Sequence, residues 1–298
     1  MAFSKTPRSA ISLLELLIVI AILGVLIGLL LGAVQKVRAA GVELQNKNNL
    51  RQMAIGTHQL FSEDNGKLSK LMKSSMADVT VFPDSLSLFS RLLPFVHHAP
   101  TFHEGMSIAE FTDNFRPNAK VFRNPADPSY EYEVYGLVRW AKCSYALNIH
   151  AMDGSVDLNA AISDGTSQTM MLADKYYSHC DRESTFASTY NEWSHVFDPF
   201  KGEYYSNRRP TFADRGWHDV MPVTDLGTGV TRPSVPGKTF QVRPRPEDVD
   251  PSILQTCFHS GLTVAFFDGS VRTIRPGIDE TVYWAMITHN GGEVISVD

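Results

Sequence analysis

The chain has 298 residues, 43% hydrophobic and 20% charged, which is enough to bury a sizeable core. A formal net charge of -5 excludes the electrostatic footprint of a nucleic-acid binder, so no nucleic acid is expected as a partner. The three cysteines, Cys143, Cys180 and Cys257, exclude a disulfide framework and a Cys-x-x-Cys zinc site; at most one bridge can form.

The first predicted element is the apolar run AISLLELLIVIAILGVLIGLLLGAVQKVR, from Ala10 to Arg38. No residue from Leu16 to Gln35 is charged. About 20 helical residues at roughly 1.5 Å each span the ~30 Å hydrocarbon layer of a bilayer. A membrane segment over residues 13–35 is therefore expected, inside a long N-terminal helix over 11–65. Lys5 and Arg8 precede the run and Lys36, Arg38, Lys47 and Arg51 follow it, so charge counting leaves the orientation open. Gly24, Gly28 and Gly32 recur every fourth residue on one helix face, where small side chains let a second helix approach; glycine is also simply frequent in membrane helices. Glu15 is the one carboxylate near the start of the run. A charge there is a functional-site hypothesis, favoured by the positive end of the helix dipole and, were the chain cut before Ile11, by the new amine one turn away.

Lys5, Arg8 and then Ala10, Ile11, Ser12, Leu13, Leu14 and Glu15 resemble the cleavage and methylation signal of type IV prepilins and pseudopilins. The resemblance implies a leader over residues 1–10, cut between Ala10 and Ile11 by a prepilin peptidase, N-methylation of Ile11, and a Glu15 needed for methylation and for docking onto other pilin-like subunits. It further implies a single-pass protein of the inner (cytoplasmic) membrane with an extracytoplasmic body. Ala10 stands where the family usually has glycine, and Gly32 where many members carry proline. A secretory signal and an uncleaved anchor are the other readings of the run. The first typically has an apolar core of about 7 to 15 residues and an Ala-x-Ala-like site, whereas this run is longer and Leu31-Gly32-Ala33 is a poor site.

Beyond the membrane segment, Val37, Ala40 and Leu44, then Leu50, Met53, Thr57, Leu60 and Phe61, form an imperfect helical stripe. The polar patch Asn46 to Asn49 interrupts it, and Asn65-Gly66 is a natural stop. A helix over about Ser85 to Leu93, broken at Pro94, is predicted next. Short apolar runs rich in aromatic and β-branched residues then favour strands. LTVAFF-DG-SVRTI is expected as a hairpin with Asp268-Gly269 in a type I′ turn. Residues 221–251, rich in glycine and proline, read as a long exposed excursion of the body, which covers 66–298. The fold class expected is α+β, a long N-terminal membrane helix packed on an antiparallel sheet.

FHSGLTVAFFDGSVRTI is also similar to the H-x9-DG segment of a large bacterial family whose members begin with a prepilin-type signal. FRNPADP, SYALN, ISDGTSQTMMLAD and the tail GGEVISVD resemble further elements of that family in the same order. The motif residues carried over are Asp164, Gly165, His259, Asp268 and Gly269, and the implied body is pilin-like. Only eight residues separate His259 from Asp268, Asn124 replaces a cysteine, and Asp174 replaces a glutamate. The family's body has also been grouped with solute-binding proteins, which leaves a membrane-tethered ligand-binding module as the alternative function.

No Gly-x-Ser-x-Gly elbow, His-Glu-x-x-His helix or glycine-rich phosphate loop occurs. His97, His98, His103 and Glu104 cluster in HHAPTFHE, but Pro100 and the spacing favour a loop over a metal site. No catalytic residue, metal or cofactor is expected. The function expected is that of a structural subunit assembled through its N-terminal helix into a pilus-like or secretion-type filament.

Overall fold

Helix α1 (Leu13–Glu63) runs for 51 residues in the computed structural model of the chain. The structure describes residues 13–63, 88–97, 120–128, 143–148, 151, 162–176, 178–179, 182–183, 194–198, 203–207, 212, 223–224, 231–232, 239–245, 248–249 and 253–287. The leader, Ala10, Ile11, Cys180 and the GGEVISVD tail lie outside the described residues. Residues 1–44 and 45–298 form two compact units.

In the first unit every residue from 13 to 41 is exposed, large apolar side chains included. This part of α1 is long and apolar enough to cross a membrane.

In the second unit α1 is amphipathic. Asn46, Asn49, Leu50, Met53, Ala54, Gly56, Thr57, Leu60 and Phe61 are buried, a spacing of three and four that places them on one face. This corrects the N-terminal part of the predicted stripe. Asn46 and Asn49 begin the buried face rather than interrupting it, whereas Val37 and Leu44 are 72% and 68% exposed. The reason is polar: the sheet beneath that first turn presents a carboxylate and a phenol, for which amides are suitable partners.

Four antiparallel strands form that sheet, β1 (Tyr145–Leu147), β2 (Met170–Asp174), β11 (Leu262–Phe266) and β12 (Val271–Ile274), in the order β1-β2-β11-β12. Side chains alternate between its faces. Tyr145, Leu172 and Ala265 meet α1, helix α2 (Leu88–His97) and the 3-10 turn Lys120–Phe122. Ala146, Ala173 and Val264 meet Leu254 together with Tyr283, Trp284, Met286 and Ile287. Covered on both faces, β2 and β11 are buried along their whole length. Helix α3 (Glu280–Ala285) starts at Asp279, whose carboxylate accepts from the amides of Thr281 and Val282 at 2.9 and 3.3 Å.

Helix α2 runs through Pro94 instead of breaking there. Proline costs one backbone hydrogen bond, and burial of Phe89, Leu92 and Leu93 against α1 offsets it. The two helices approach closely at Gly56, where a Cβ would stand 2.9 Å from Val96 Cγ1.

The remaining strands lie outside this sheet. β3 (Ser178–His179) pairs with β4 (Arg182–Glu183), β5 (Ser194–Asp198) with β6 (Glu203–Asn207), and β7 (Val223–Thr224) with β8 (Thr231–Arg232), all antiparallel. β9 (Phe240–Val242) and β10 (Leu254–Thr256) form a parallel pair. The stretch 221–251 thus carries β7, β8 and β9, and Val249 within it is buried.

The β11–β12 connection differs from the predicted type I′ turn. Gly269 has φ +80° and Asp268 does not have a positive φ, whereas type I′ needs positive φ at both. The Gly269 amide instead donates to Phe266 O at 2.9 Å and the Phe266 amide to Ser270 O at 2.9 Å. The loop is one residue longer, with glycine at the left-handed position.

Gly261 enters β11 at φ +128°, and a Cβ there would stand 2.0 Å from Ile274 O. Gly277 has φ +81° but open space around it. Gly261→Ala is therefore expected to cost about 3 kcal/mol or more and Gly277→Ala about 1 kcal/mol. Thermal unfolding of the full-length chain in detergent, followed by near-UV circular dichroism, checks the order; equal costs would contradict the close approach.

Candidate functional site

Two sets of residues singled out by sequence fall in different places. Glu15 lies in the first turn of α1, on the exposed apolar segment. A Cβ built at Gly24, Gly28 or Gly32 meets nothing within 4 Å. The glycine face is open along its length, like every other face of this exposed segment.

The family-motif residues split. Asp164-Gly165 and Asp268-Gly269 are neighbours at one end of the sheet. The Asp268 amide donates to Thr166 O at 3.0 Å and the Phe267 amide to Thr169 O at 3.1 Å. Each pair serves a turn. The Gly165 amide donates to Ile162 O at 3.3 Å with φ +99° at the glycine. Asp268 Oδ1 accepts from the Ser270 amide at 2.8 Å, and its other oxygen is 3.7 Å from Arg272. Gly269 sits beneath α1, 3.9 Å from His58 Nε2 as measured from its virtual Cβ.

His259 is at the other end of β11. At about 3.3 Å per residue, that strand separates it from the Asp-Gly turn by roughly 16 Å. His259 is exposed, and its Nε2 lies against Arg243 Nη1. Arg243 has φ +47°, and its amide donates a hydrogen bond to Thr256 O at 2.8 Å. His259 and Asp268 therefore share no site.

The most concentrated polar chemistry lies between α1 and the sheet, within the second unit. Asn46 Nδ2 donates to Asp174 Oδ1 at 2.9 Å and to Thr263 Oγ1 at 3.2 Å. Tyr145 OH donates to Asn46 Oδ1 at 2.8 Å, and Asn49 Nδ2 donates to Tyr145 OH at 3.2 Å and to Arg123 O at 3.0 Å. The Thr263 amide donates to Asp174 Oδ2 at 3.3 Å. All five side chains are buried.

Burial pushes the Asp174 carboxyl up to about 7, although the bonds from Asn46 and Thr263 favour its charged form; the Asp127 charge adds to the rise. Burial likewise raises the Tyr145 phenol, with Asp174 adding to it.

Sequence reasoning noted Asp174 only as a replaced glutamate and treated Asn46 and Asn49 as a break. The available signal was their spacing of three residues in phase with Leu50, Met53 and Thr57.

Cys143 and Cys257 are free thiols, and burial raises both above the usual thiol range. A thiol so held is a poor nucleophile and a poor metal ligand. Among the described residues no group of three His, Cys, Asp or Glu is placed to hold a metal ion. His97 ends α2, and the rest of HHAPTFHE lies outside the described residues.

Asn46→Ala leaves a buried carboxyl and a buried phenol short of partners and is expected to destabilise the chain by about 2–4 kcal/mol. Asn49→Ala is expected to cost about 1–2 kcal/mol. Denaturant midpoints of the two variants, compared with the parent chain, test this; a loss under ~0.5 kcal/mol for Asn46→Ala would show the network to be dispensable. Neither a family model, nor a curated protein, nor a solved structure matches this chain.

Proposed function

We propose that the chain is a prepilin-like, pseudopilin-type structural subunit. A prepilin peptidase cuts it between Ala10 and Ile11, the new amine of Ile11 is methylated, and the mature N-terminal helix enters a bundle of pilin-like subunits in a pilus-like or type II secretion-like filament. The subunit waits in the inner membrane as a single-pass protein with its body extracytoplasmic. It is not an enzyme and takes no cofactor.

The observation that carries this reading is the division of labour along α1. Residues 13 to 41 are exposed throughout, while Asn46 to Phe61 are anchored in the body. An apolar helix of that kind has lipid or other helices as its natural surroundings. Glu15 supplies the docking charge near the N-terminal end, and the open Gly24, Gly28 and Gly32 face admits a neighbour. The leader and Glu15 belong to the prepilin-like pattern, and the Asp-Gly turns belong to the body of the related bacterial family.

Mass analysis of the mature N-terminus is expected to find methylated Ile11. Glu15→Ala is expected to abolish methylation and assembly while leaving membrane insertion intact. Cysteines placed at Gly24 or Gly28 should cross-link the chain into a ladder of oligomers. A processed but strictly monomeric chain would instead favour a membrane-tethered ligand-binding module, and an unprocessed start would overturn both the leader and the family.

A further inference from the structure

The end of the body remote from the Asp-Gly turns collects positive charge. Strands β9 and β10 run parallel, so their C-terminal ends lie together, and the chain leaves them through Arg243 and through His259. β12 runs antiparallel to β11 and finishes beside Gly261, where a Cβ would stand 3.2 Å from Arg275 Cα. Arg243, Arg245, His259 and Arg275 are all exposed, and among the described residues none of these three arginines is ion-paired with a carboxylate. The described acids closest to the arginines in sequence are Asp248, whose amide donates to Arg245 O at 2.9 Å, and Asp279, whose carboxylate caps α3.

The backbone on both sides of the Arg243–His259 contact is fixed by one buried residue. Thr256 O accepts from the Arg243 amide at 2.8 Å, while the Thr256 hydroxyl donates to Gly261 O at 2.8 Å and accepts from the Phe258 amide at 3.2 Å. Arg243 is also the one non-glycine residue with a positive φ among the described residues, at +47°. That conformation costs energy for a residue with a Cβ. The side chain is exposed, so core packing does not offset the cost, and its guanidinium lies against the His259 ring. Backbone strain without a packing reason is characteristic of ligand clamps.

We propose that Arg243 and His259 form a binding site for a small oxyanion, the carboxylate or phosphate group of a solute, with Arg245 and Arg275 supplying further positive charge at the same end. The inference concerns the body alone and does not depend on the filament reading. A guanidinium carries five N–H donors and no acceptor, and an imidazole carries at least one N–H in either charge state. Placed side by side and open to solvent, the two groups have an excess of donors, which an oxyanion satisfies. The planar fork of the guanidinium matches two oxygens of a carboxylate or phosphate, and the ring adds a second direction of approach. Arginines gathered without acidic partners raise the local concentration of anions.

The test is a titration of the full-length chain in detergent, at neutral pH and constant ionic strength, in which sodium phosphate or sodium acetate replaces sodium chloride. The readout is the 13C and 15N signals of the His259 ring. A saturable shift is expected for at least one of the two anions, half-complete at about 10 mM or below; the anion that saturates assigns the group as phosphate or carboxylate. Arg243→Gly suits the positive φ and removes the guanidinium, so it is expected to raise the half-saturating concentration about tenfold or more without lowering the denaturant midpoint. Arg51→Gln, on the exposed side of α1, is expected to leave binding unchanged. Should Arg243→Gly fail to fold, Arg243→Gln takes its place. No half-saturation by about 10 mM with either anion, binding that survives loss of the Arg243 guanidinium, or an equal loss in Arg51→Gln overturns the site.

Discussion

Burying Asp174 is the constraint from which the body's arrangement follows. A carboxyl removed from water needs donors, and here they come from three directions: Asn46 of α1, and the hydroxyl and amide of Thr263 on β11. Because Asn46 also accepts from Tyr145, and Asn49 reaches both Tyr145 and the Arg123 carbonyl, one turn of helix is tied to β1, β2, β11 and the residue that follows the 3-10 turn. Apolar packing alone would tolerate a shift of the helix along the sheet. These directional bonds do not, and they set which residues of α1 face inward.

Once α1 is placed, the rest of that layer is determined by shape. Gly56 lets α2 approach, Phe89 and Phe122 meet edge to face at 5.6 Å between ring centres, and Leu50, Met53 and Leu60 fill the space above Leu172 and Ala265. The opposite face depends on α3, whose Tyr283 and Trp284 cover Ala173 and Val264. At the end of the sheet the two Asp-Gly turns bond to each other through backbone groups, which makes them parts of one structural corner. This explains their sequence prominence without any chemistry: glycine supplies the positive φ, and at Asp268 the aspartate supplies the acceptor that closes the turn.

The exposed apolar half of α1 and the half packed in the body obey different physics. In the first, hydropathy is uniform around the helix, and any face can meet lipid. In the second, one face is specified residue by residue. The elements read correctly from sequence were those with strong local signals: the apolar run in a long N-terminal helix and the Leu262–Ile274 hairpin. Those misread had local signals that tertiary contacts override. Pro94 stays inside α2 because its neighbours are buried. Asp-Gly does not form a type I′ turn, because the loop takes one more residue to reach Ser270.

Length and hydropathy by themselves determined that this chain has a helix able to cross a membrane, because that property depends only on about 20 consecutive side chains. Glycine placement likewise marked the turns, since positive φ is a local demand. Only the tertiary structure decided that Asn46, Asn49, Tyr145, Asp174 and Thr263 form one buried centre, and that His259 stands apart from Asp268. The residues of that centre are separated by up to 217 positions. Polar side chains look alike in sequence whether they face water or one another, and the difference appears only when the strands pair and the helix lies across them.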